Sequence, residues 1–220
     1  MTRTIKVLLV DDHTVIREGV RRMLSGEPDI VVVGEASSGE EALQRAQELA
    51  PHVVLMDIRM PGMSGTEAAR RIKKASPTIA VIMLTVYDSD AYVVEAIQAG
   101  AAGYLTKDCS REILCHAVRA VVDGGTLVGS GLLRRAIQGL LHSGKGMEYA
   151  VDSSLSSRLS PREQDVFRLL AQGNGNKDIC AELNLAEVTV KKHVQSLIGK
   201  LGVSDRTQAA ILGVRLGMVQ

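Results

Sequence analysis

Five short apolar runs, each followed by a helical pattern, leave the first half of this chain few ways to fold. The runs cover residues 5–10, 30–35, 53–56, 79–84 and 103–105. A strand with one wet face alternates apolar and polar residues. Nearly unbroken aliphatic runs instead read as strands buried on both faces of a parallel sheet. Between them, Ile16, Val20, Met23 and Leu24 recur at helical spacing. A second helix over about 39–50 ends at Pro51, and a third over about 65–75 precedes Pro77. A fourth, 89–99, stops at Gly100, a C-cap signal. A fifth, about 110–122, carries Ile113, Leu114, Ala117, Val118, Val121 and Val122 on one side and stops at Gly124-Gly125. Five strand–helix units in series predict an α/β, doubly wound, five-stranded parallel sheet with helices on both faces.

The ends of these runs carry the chemistry. Asp11-Asp12 closes the first run and Asp57 the third, so two strands deliver three carboxylates to their carboxyl ends, where open α/β sheets keep their sites. Clustered carboxylates repel one another unless a cation sits among them, which predicts a bound divalent metal. Thr85 follows the fourth run and Lys107 the fifth. A carboxylate beside a metal, a hydroxyl and an ammonium is equipped to attack a phosphoryl donor. The metal neutralises charge on the transferring group, while Lys107 and Thr85 bind the phosphoryl oxygens. Taken singly, each residue has a plainer reading. Asp11-Asp12 can cap the helix that follows, Tyr104 can fill core, and Lys107 can be a solvated loop charge.

Composition narrows the class of protein. Aromatics make up 2% of 220 residues and Trp is absent, so the cores must be aliphatic. The net charge is +1, but residues 156–220 hold nine Lys/Arg against six Asp/Glu, and the remaining 155 hold 17 against 19. That asymmetry favours nucleic-acid contact at the C-terminal end. Cys109, Cys115 and Cys180 are odd in number and at no metal-binding spacing, which predicts free thiols in a reducing cytoplasm. The first apolar run ends at Asp11 after a few residues, so no secretory leader is expected. No run approaches the ~20 apolar residues of a membrane span, and no membrane partner is expected.

From 123 to 157 the chain reads as a linker with one short helix. Seven glycines lie between 124 and 146, and Leu132, Leu133, Ile137, Leu140 and Leu141 suggest docking onto a neighbouring domain. Gly139 to Lys145 imitates a phosphate-binding loop. Gly146 stands where that motif needs Ser or Thr, and no strand precedes it, so nucleotide binding is not expected there.

The rest is helical. Ser160-Pro161-Arg162-Glu163 supplies an N-cap serine, a proline at the first helical position and the glutamate of a capping box. Further helices are expected over about 177–183, 187–200 and 204–216. The turn at Asn184-Leu185-Ala186 makes the middle pair a helix-turn-helix. In the third of these four helices, Val190, Val194, Leu197, Ile198 and Leu201 share one face and should be core. Val188, Lys192, Gln195 and Gly199 face away, flanked by Lys191 and Ser196, a combination suited to reading base edges in a major groove. Lys177, Thr189, His193 and Arg206 are candidate phosphate contacts, with His193 equally readable as a partly buried structural histidine.

These motifs carry a resemblance. Residues 1–122 resemble the receiver domain of two-component response regulators, through Asp11-Asp12, Asp57 in Met-Asp-Ile-Arg-Met-Pro-Gly, Thr85, Tyr104 and Lys107. Residues 158–220 resemble the LuxR-type helix-turn-helix, through Leu159-Ser160-Pro161-Arg162-Glu163, Asn176-Lys177-Asp178-Ile179, Thr189-Val190-Lys191-Lys192-His193 and Lys200-Leu201-Gly202-Val203. Together they are similar to the NarL/FixJ family of transcription regulators. The resemblance implies a flavodoxin-like sheet of order 2-1-3-4-5 followed by a small all-α domain. It implies Asp57 as phosphoacceptor, with Asp12, Asp57 and the Arg59 carbonyl ligating Mg²⁺ directly and Asp11 acting through water. It implies Thr85 and Tyr104 as a switch pair. The implied partners are a sensor histidine kinase, double-stranded promoter DNA, a second copy on activation and RNA polymerase. Two departures stand out. Ala186 replaces the usual serine cap of the recognition helix, at a cost of ~1 kcal/mol, and Gly175 replaces the serine before Asn176. Both predict a loosely held turn and modest DNA affinity.

The leading expectation is a phosphorylation-switched transcription factor, not an enzyme with its own substrate. A Mg²⁺-dependent aspartyl-phosphate phosphatase is the alternative, but it needs an acid two residues after its nucleophile, where Arg59 stands. A DNA-binding protein whose receiver only dimerises is the third reading.

Overall fold

The computed structural model of the chain describes residues 4–86, 90–122 and 159–218. The linker expectations, including its short helix, its docking leucines and the false phosphate loop, lie outside these residues.

The strands are β1 (Ile5–Val10), β2 (Ile30–Ala36), β3 (Val53–Asp57), β4 (Ala80–Thr85) and β5 (Gly103–Thr106). The helices between and after them are α1 (Thr14–Leu24), α2 (Gly39–Leu49), α3 (Gly65–Ala75), α4 (Asp90–Gln98) and α5 (Arg111–Val122). All strand pairs are parallel and the order is β2-β1-β3-β4-β5, as the resemblance implies. Chain direction across the sheet reverses between β1 and β3, which places a crevice at their carboxyl ends.

Side-chain alternation divides the core. Leu8, Val10, Val54, Met56, Val81 and Met83 face α2, α3 and α4, whose Ala42, Ala68, Ala69, Ile72 and Ala96 are buried against them. Val7, Leu9, Val53, Leu55, Ile82 and Leu84 face α1 and α5, which contribute Leu24, Leu114, Ala117, Val118 and Val121. With both faces covered, these strands need no polar positions, which explains their aliphatic composition. The alanine-rich helix faces let α2 and α3 approach closely without large side chains.

Several details differ from expectation. β2 to β5 each run one residue past the apolar pattern, because Ala36, Asp57, Thr85 and Thr106 still occupy ladder positions. Ile113 is half exposed rather than core, since α5 presses on the sheet through a narrower stripe. Ser38 and Ser64 cap α2 and α3 by accepting from Glu41 N and Glu67 N at 3.2 and 3.3 Å. Asp11 accepts the His13 N–H at 2.9 Å, but the N-cap of α1 is His13 and no side chain caps that helix, so the acidic pair does not serve as its cap. The three cysteines are free.

The C-terminal module comprises α6 (Pro161–Ala171), α7 (Asn176–Leu183), α8 (Glu187–Leu201) and α9 (Arg206–Arg215). Its core is Val166, Phe167, Leu170, Ile179, Val190, Val194, Leu197 and Leu201, with Ile198 partly buried. The capping box is complete: Ser160 Oγ accepts from Glu163 N at 3.3 Å, and Glu163 Oε2 accepts from Ser160 N at 2.7 Å. α8 starts at Ala186 with no side-chain cap.

The two modules touch. Val93 and Ile97 of α4 form an apolar cluster with Ala171 of α6 and Ala210, Ile211 and Val214 of α9. Beside it, buried Lys73 of α3 donates to Pro77 O at 2.7 Å, to Ile79 O at 2.8 Å and to Ser204 Oγ of the C-terminal module. Burial pulls this ammonium down to about 8, and the Asp205 carboxylate opposes the shift. No helix among the described residues is long and apolar enough to cross a membrane.

Candidate functional site: an acidic pocket and an exposed helix

β1 ends at Val10 and β3 at Asp57, in neighbouring strands of the sheet, so the turn after β1 brings Asp11 and Asp12 beside Asp57. Ligand atoms of Asp11, Asp12, His13 and Asp57 all lie within 4.8 Å of one another. Asp11 is 3% and Asp57 5% exposed, which puts negative charge where water cannot fully solvate it. Lys107, carried from β5, offsets part of that charge. Its Nζ is 2.5 Å from Asp11 Oδ2 and 2.8 Å from Asp57 Oδ2. Burial raises the Asp57 carboxyl above its ordinary range; the Lys107 hydrogen bond opposes this and the Asp11 charge adds to it. Although burial disfavours its charge, Lys107 is held above its ordinary value by its bonds to Asp11 and Asp57. One ammonium for three carboxylates leaves a negative excess. Asp11 Oδ2 and Asp12 Oδ1 are buried and face the Lys107 ammonium and the His13 ring, respectively. That donor set suits a hard divalent cation, which takes carboxylate, carbonyl and water oxygens.

Thr85 is buried at the end of β4, and an open cavity of about 340 Å³ connects it with His13, Ile16, Asp57, Arg59, Val86 and Lys107. Tyr104, in register with Met83 on β5, is half-buried between the sheet core and the α4–α9 cluster. Two neighbours were not anticipated. His13 Nδ1 lies 2.8 Å from Asp12 Oδ1, and its only sequence signal is that it follows the acidic pair. The Arg59 side chain lines the cavity and donates from Nη2 to Tyr92 OH at 2.6 Å.

The second candidate surface is α8. Val188, Lys191, Lys192 and Gln195 are exposed, with Val188 at 65%, and Thr189 and His193 are half-buried beside them. Lys177 is exposed on α7. Lys191 pairs with Glu187 at 3.0 Å, a solvent-screened pair between neighbouring turns that is readily given up.

Arg206 departs from expectation. It is 7% exposed, donates to Asn176 Oδ1 at 2.6 Å and Asn174 O at 2.9 Å, and burial lowers its pKa. In this structure it is not a surface charge waiting for phosphate. It fastens the turn before α7 to α9, and Gly175 N donates to Asp178 Oδ2 at 2.9 Å on the same turn. The missing serine is thus partly replaced from elsewhere in the module. Arg206→Ala should therefore weaken duplex binding through a loosened α7 while leaving its salt dependence unchanged. Lys177→Ala should flatten that dependence by about one in slope. Binding to a duplex across a salt series separates the two.

Residues 7–119 match the family described as "Response regulator receiver domain", and residues 157–212 match "Bacterial regulatory proteins, luxR family". The chain is 38% identical over 216 residues to the transcriptional regulatory protein LnrK of Bacillus subtilis, covering 97% of this chain and 98% of that one. It is 36% identical over 205 residues to the nitrate/nitrite response regulator NarL of Escherichia coli K12, covering 93% of each. It also resembles the crystal structure of ChrA, a response regulator of a heme-sensing two-component system, at 34% identity. That match has a TM-score of 0.50 over 98% of this chain and 99% of that one. A receiver fold with an acidic pocket, joined to a helix-turn-helix, defines the response regulators that act on transcription. The chain belongs to the luxR-type family of these regulators, the group in which NarL stands.

Proposed function

We propose that this protein takes a phosphoryl group from a sensor histidine kinase onto Asp57 and thereby controls dimerisation and sequence-specific DNA binding. The observation that carries the reading is a buried carboxylate at a strand end, bonded to Lys107 and clustered with two further carboxylates that outnumber the one ammonium among them. In the transfer, an Asp57 oxygen forms a bond to phosphorus as the donor's bond to that phosphorus breaks, and the donor leaves with the electron pair. Lys107 binds the incoming oxygens and Thr85 offers its hydroxyl at the same edge. Asp11, Asp12, Asp57 and the Arg59 carbonyl would hold Mg²⁺, which when bound neutralises charge on the phosphoryl group. The module boundaries we assign are 1–122 and 158–220, with 123–157 as linker. Val188, Lys191, Lys192 and Gln195 would read bases, while Lys177, Thr189 and His193 would contact phosphates. Such a protein works on promoters in the cytoplasm, where RNA polymerase is its neighbour.

Acetyl phosphate with Mg²⁺ tests the reading by mass spectrometry. Wild type should gain one phosphoryl group and Asp57→Ala none. No gain on wild type, or an equal gain on the variant, would contradict it.

A further inference from the structure

The acidic pocket and the docked C-terminal module are joined by a contact that neither site requires by itself. Arg59 sits on the pocket wall with Asp57, Thr85 and Lys107. Its guanidinium donates to Tyr92 OH at 2.6 Å and lies with Cζ 5.5 Å from the centroid of the Tyr92 ring. Tyr92 belongs to α4, and the next residue, Val93, is 6% exposed because α6 and α9 cover it. Ile97, one turn on, is buried in the same cluster. One end of α4 is therefore tethered to the pocket wall, and the same helix seats the C-terminal module.

The Arg59–Tyr92 bond is itself modest. A phenol is a neutral acceptor, and a partly exposed cation–aromatic contact adds little. A phosphoryl group on Asp57 brings additional negative charge and several strong acceptor oxygens into the cavity that Arg59 lines. Guanidinium–phosphate bonds are charge-assisted, often bidentate, and stronger than bonds to neutral oxygen. Lys107 is already shared between Asp11 and Asp57, so it does not cancel the added charge alone.

We propose that Arg59 is the phosphoryl-reading side chain of the pocket: it leaves Tyr92 for the modified Asp57, and the freed α4 loosens its hold on α9. This rests on Asp57 being the phosphoacceptor and adds a second route from pocket to interface, separate from the Thr85–Tyr104 pair. Arg59 binds the phosphoryl group directly, whereas Tyr92 is a positioning residue that acts through it. The contact spans 33 residues of sequence, and breaking it needs no movement of the strands.

Amide hydrogen exchange on the full chain tests it, read over 90–98 and 206–215 with and without acetyl phosphate and Mg²⁺. In wild type, phosphorylation should speed exchange in both segments. Tyr92→Phe keeps the ring and removes the acceptor. Without phosphodonor it should already exchange about 3- to 10-fold faster in both segments, the range that one such hydrogen bond supports. Phosphorylation should then add less than in wild type. Arg59→Lys keeps the charge but not the fork, and should behave alike. The double variant should match either single one, because both changes break the same link. Mass gain at Asp57 should persist in Tyr92→Phe, since that residue is outside the pocket. A general loosening of α4 would instead give additive effects and an undiminished phosphorylation response, which would overturn the relay. So would wild-type behaviour of Tyr92→Phe in both states. If wild type gains no phosphoryl group, the underlying reading fails first, and it is recognisable by that mass result alone.

Discussion

Gly65→Ala should cripple the acidic pocket from a position that carries no functional group. Gly65 opens α3 and donates its N–H to Ile58 O at 2.9 Å, so the helix end presses on the chain just past β3. A methyl group built there would lie 1.8 Å from the Asp57 carbonyl oxygen, 2.8 Å from its carbonyl carbon and 3.0 Å from Met56 Cγ. The obstacle is backbone at the last rung of a central strand, which cannot swing aside as a side-chain tip does. Either α3 or Asp57 must shift. Overpacking of this kind costs ~3 kcal/mol. A displacement near 1 Å at a reacting group costs about a hundredfold in rate. The expected result is slower phosphoryl uptake from acetyl phosphate, by at least about tenfold, with a lower urea midpoint for the receiver module. Gly19→Ala provides the contrast. Gly19 lies within α1 with no atom within 4 Å of the added carbon, so that change should leave uptake alone and stabilise by ~0.5–1 kcal/mol. Equal behaviour of the two variants would remove the close approach of α3 as a determinant of the site.

Much of this fold was legible because its determinants are local. Aliphatic runs mark strands covered on both faces, and Pro51, Pro77, Gly100 and the serine of Ser160-Pro161 mark ends whose physics is contained within a few residues. The acidic cluster was legible for a related reason. Consecutive parallel strands place their carboxyl ends on one edge, so Asp11, Asp12, Asp57, Thr85 and Lys107 converge once the topology is known. What escaped depends on residues far apart in the chain. Arg206 looks like a surface cation, but Asn174 and Asn176, about thirty positions earlier, turn it inward. Lys73 looks like a solvated helix residue until Ser204 meets it, 131 positions later. Ile113 satisfies a helical stripe that α5 does not fully use. Polar residues at strand ends fall outside the apolar runs, because hydropathy changes there while the hydrogen-bond ladder does not.

Loss of the Glu163 carboxylate should markedly destabilise the C-terminal module. Glu163 is 4% exposed and makes three charge-assisted bonds. It accepts from Ser160 N at 2.7 Å, from Ser196 Oγ at 2.7 Å and from Lys200 Nζ at 2.7 Å. Ser196 and Lys200 belong to α8, so one carboxylate both caps α6 and fixes the helix that presents Lys191, Lys192 and Gln195. The Lys200 bond, more than the others, holds the carboxyl down at about 2, against an ordinary 4.5. The sign follows from linkage. Between pH 4.5 and about 2 the unfolded chain binds a proton that the folded module does not. The stabilisation is therefore complete above pH 4.5 and is lost as pH falls through about 2. Lys200 is 42% exposed, and solvent screens its share, so the contribution is about 2 kcal/mol. Glu163→Gln keeps the shape but removes the charge. It should lower the melting temperature of this module by about 10 °C at pH 7 and flatten its dependence on pH between 4.5 and 2. Glu163→Ala also strands the Ser160 N–H and opens a void, and should cost more, about 3 kcal/mol. Phe167, the chain's one phenylalanine, is buried in this module, so fluorophenylalanine incorporation gives a ¹⁹F signal that reports its unfolding separately from the receiver. A variant that melts like wild type at pH 7, or that keeps the wild-type acid transition, would show that α6 and α8 are held together by their apolar contacts alone.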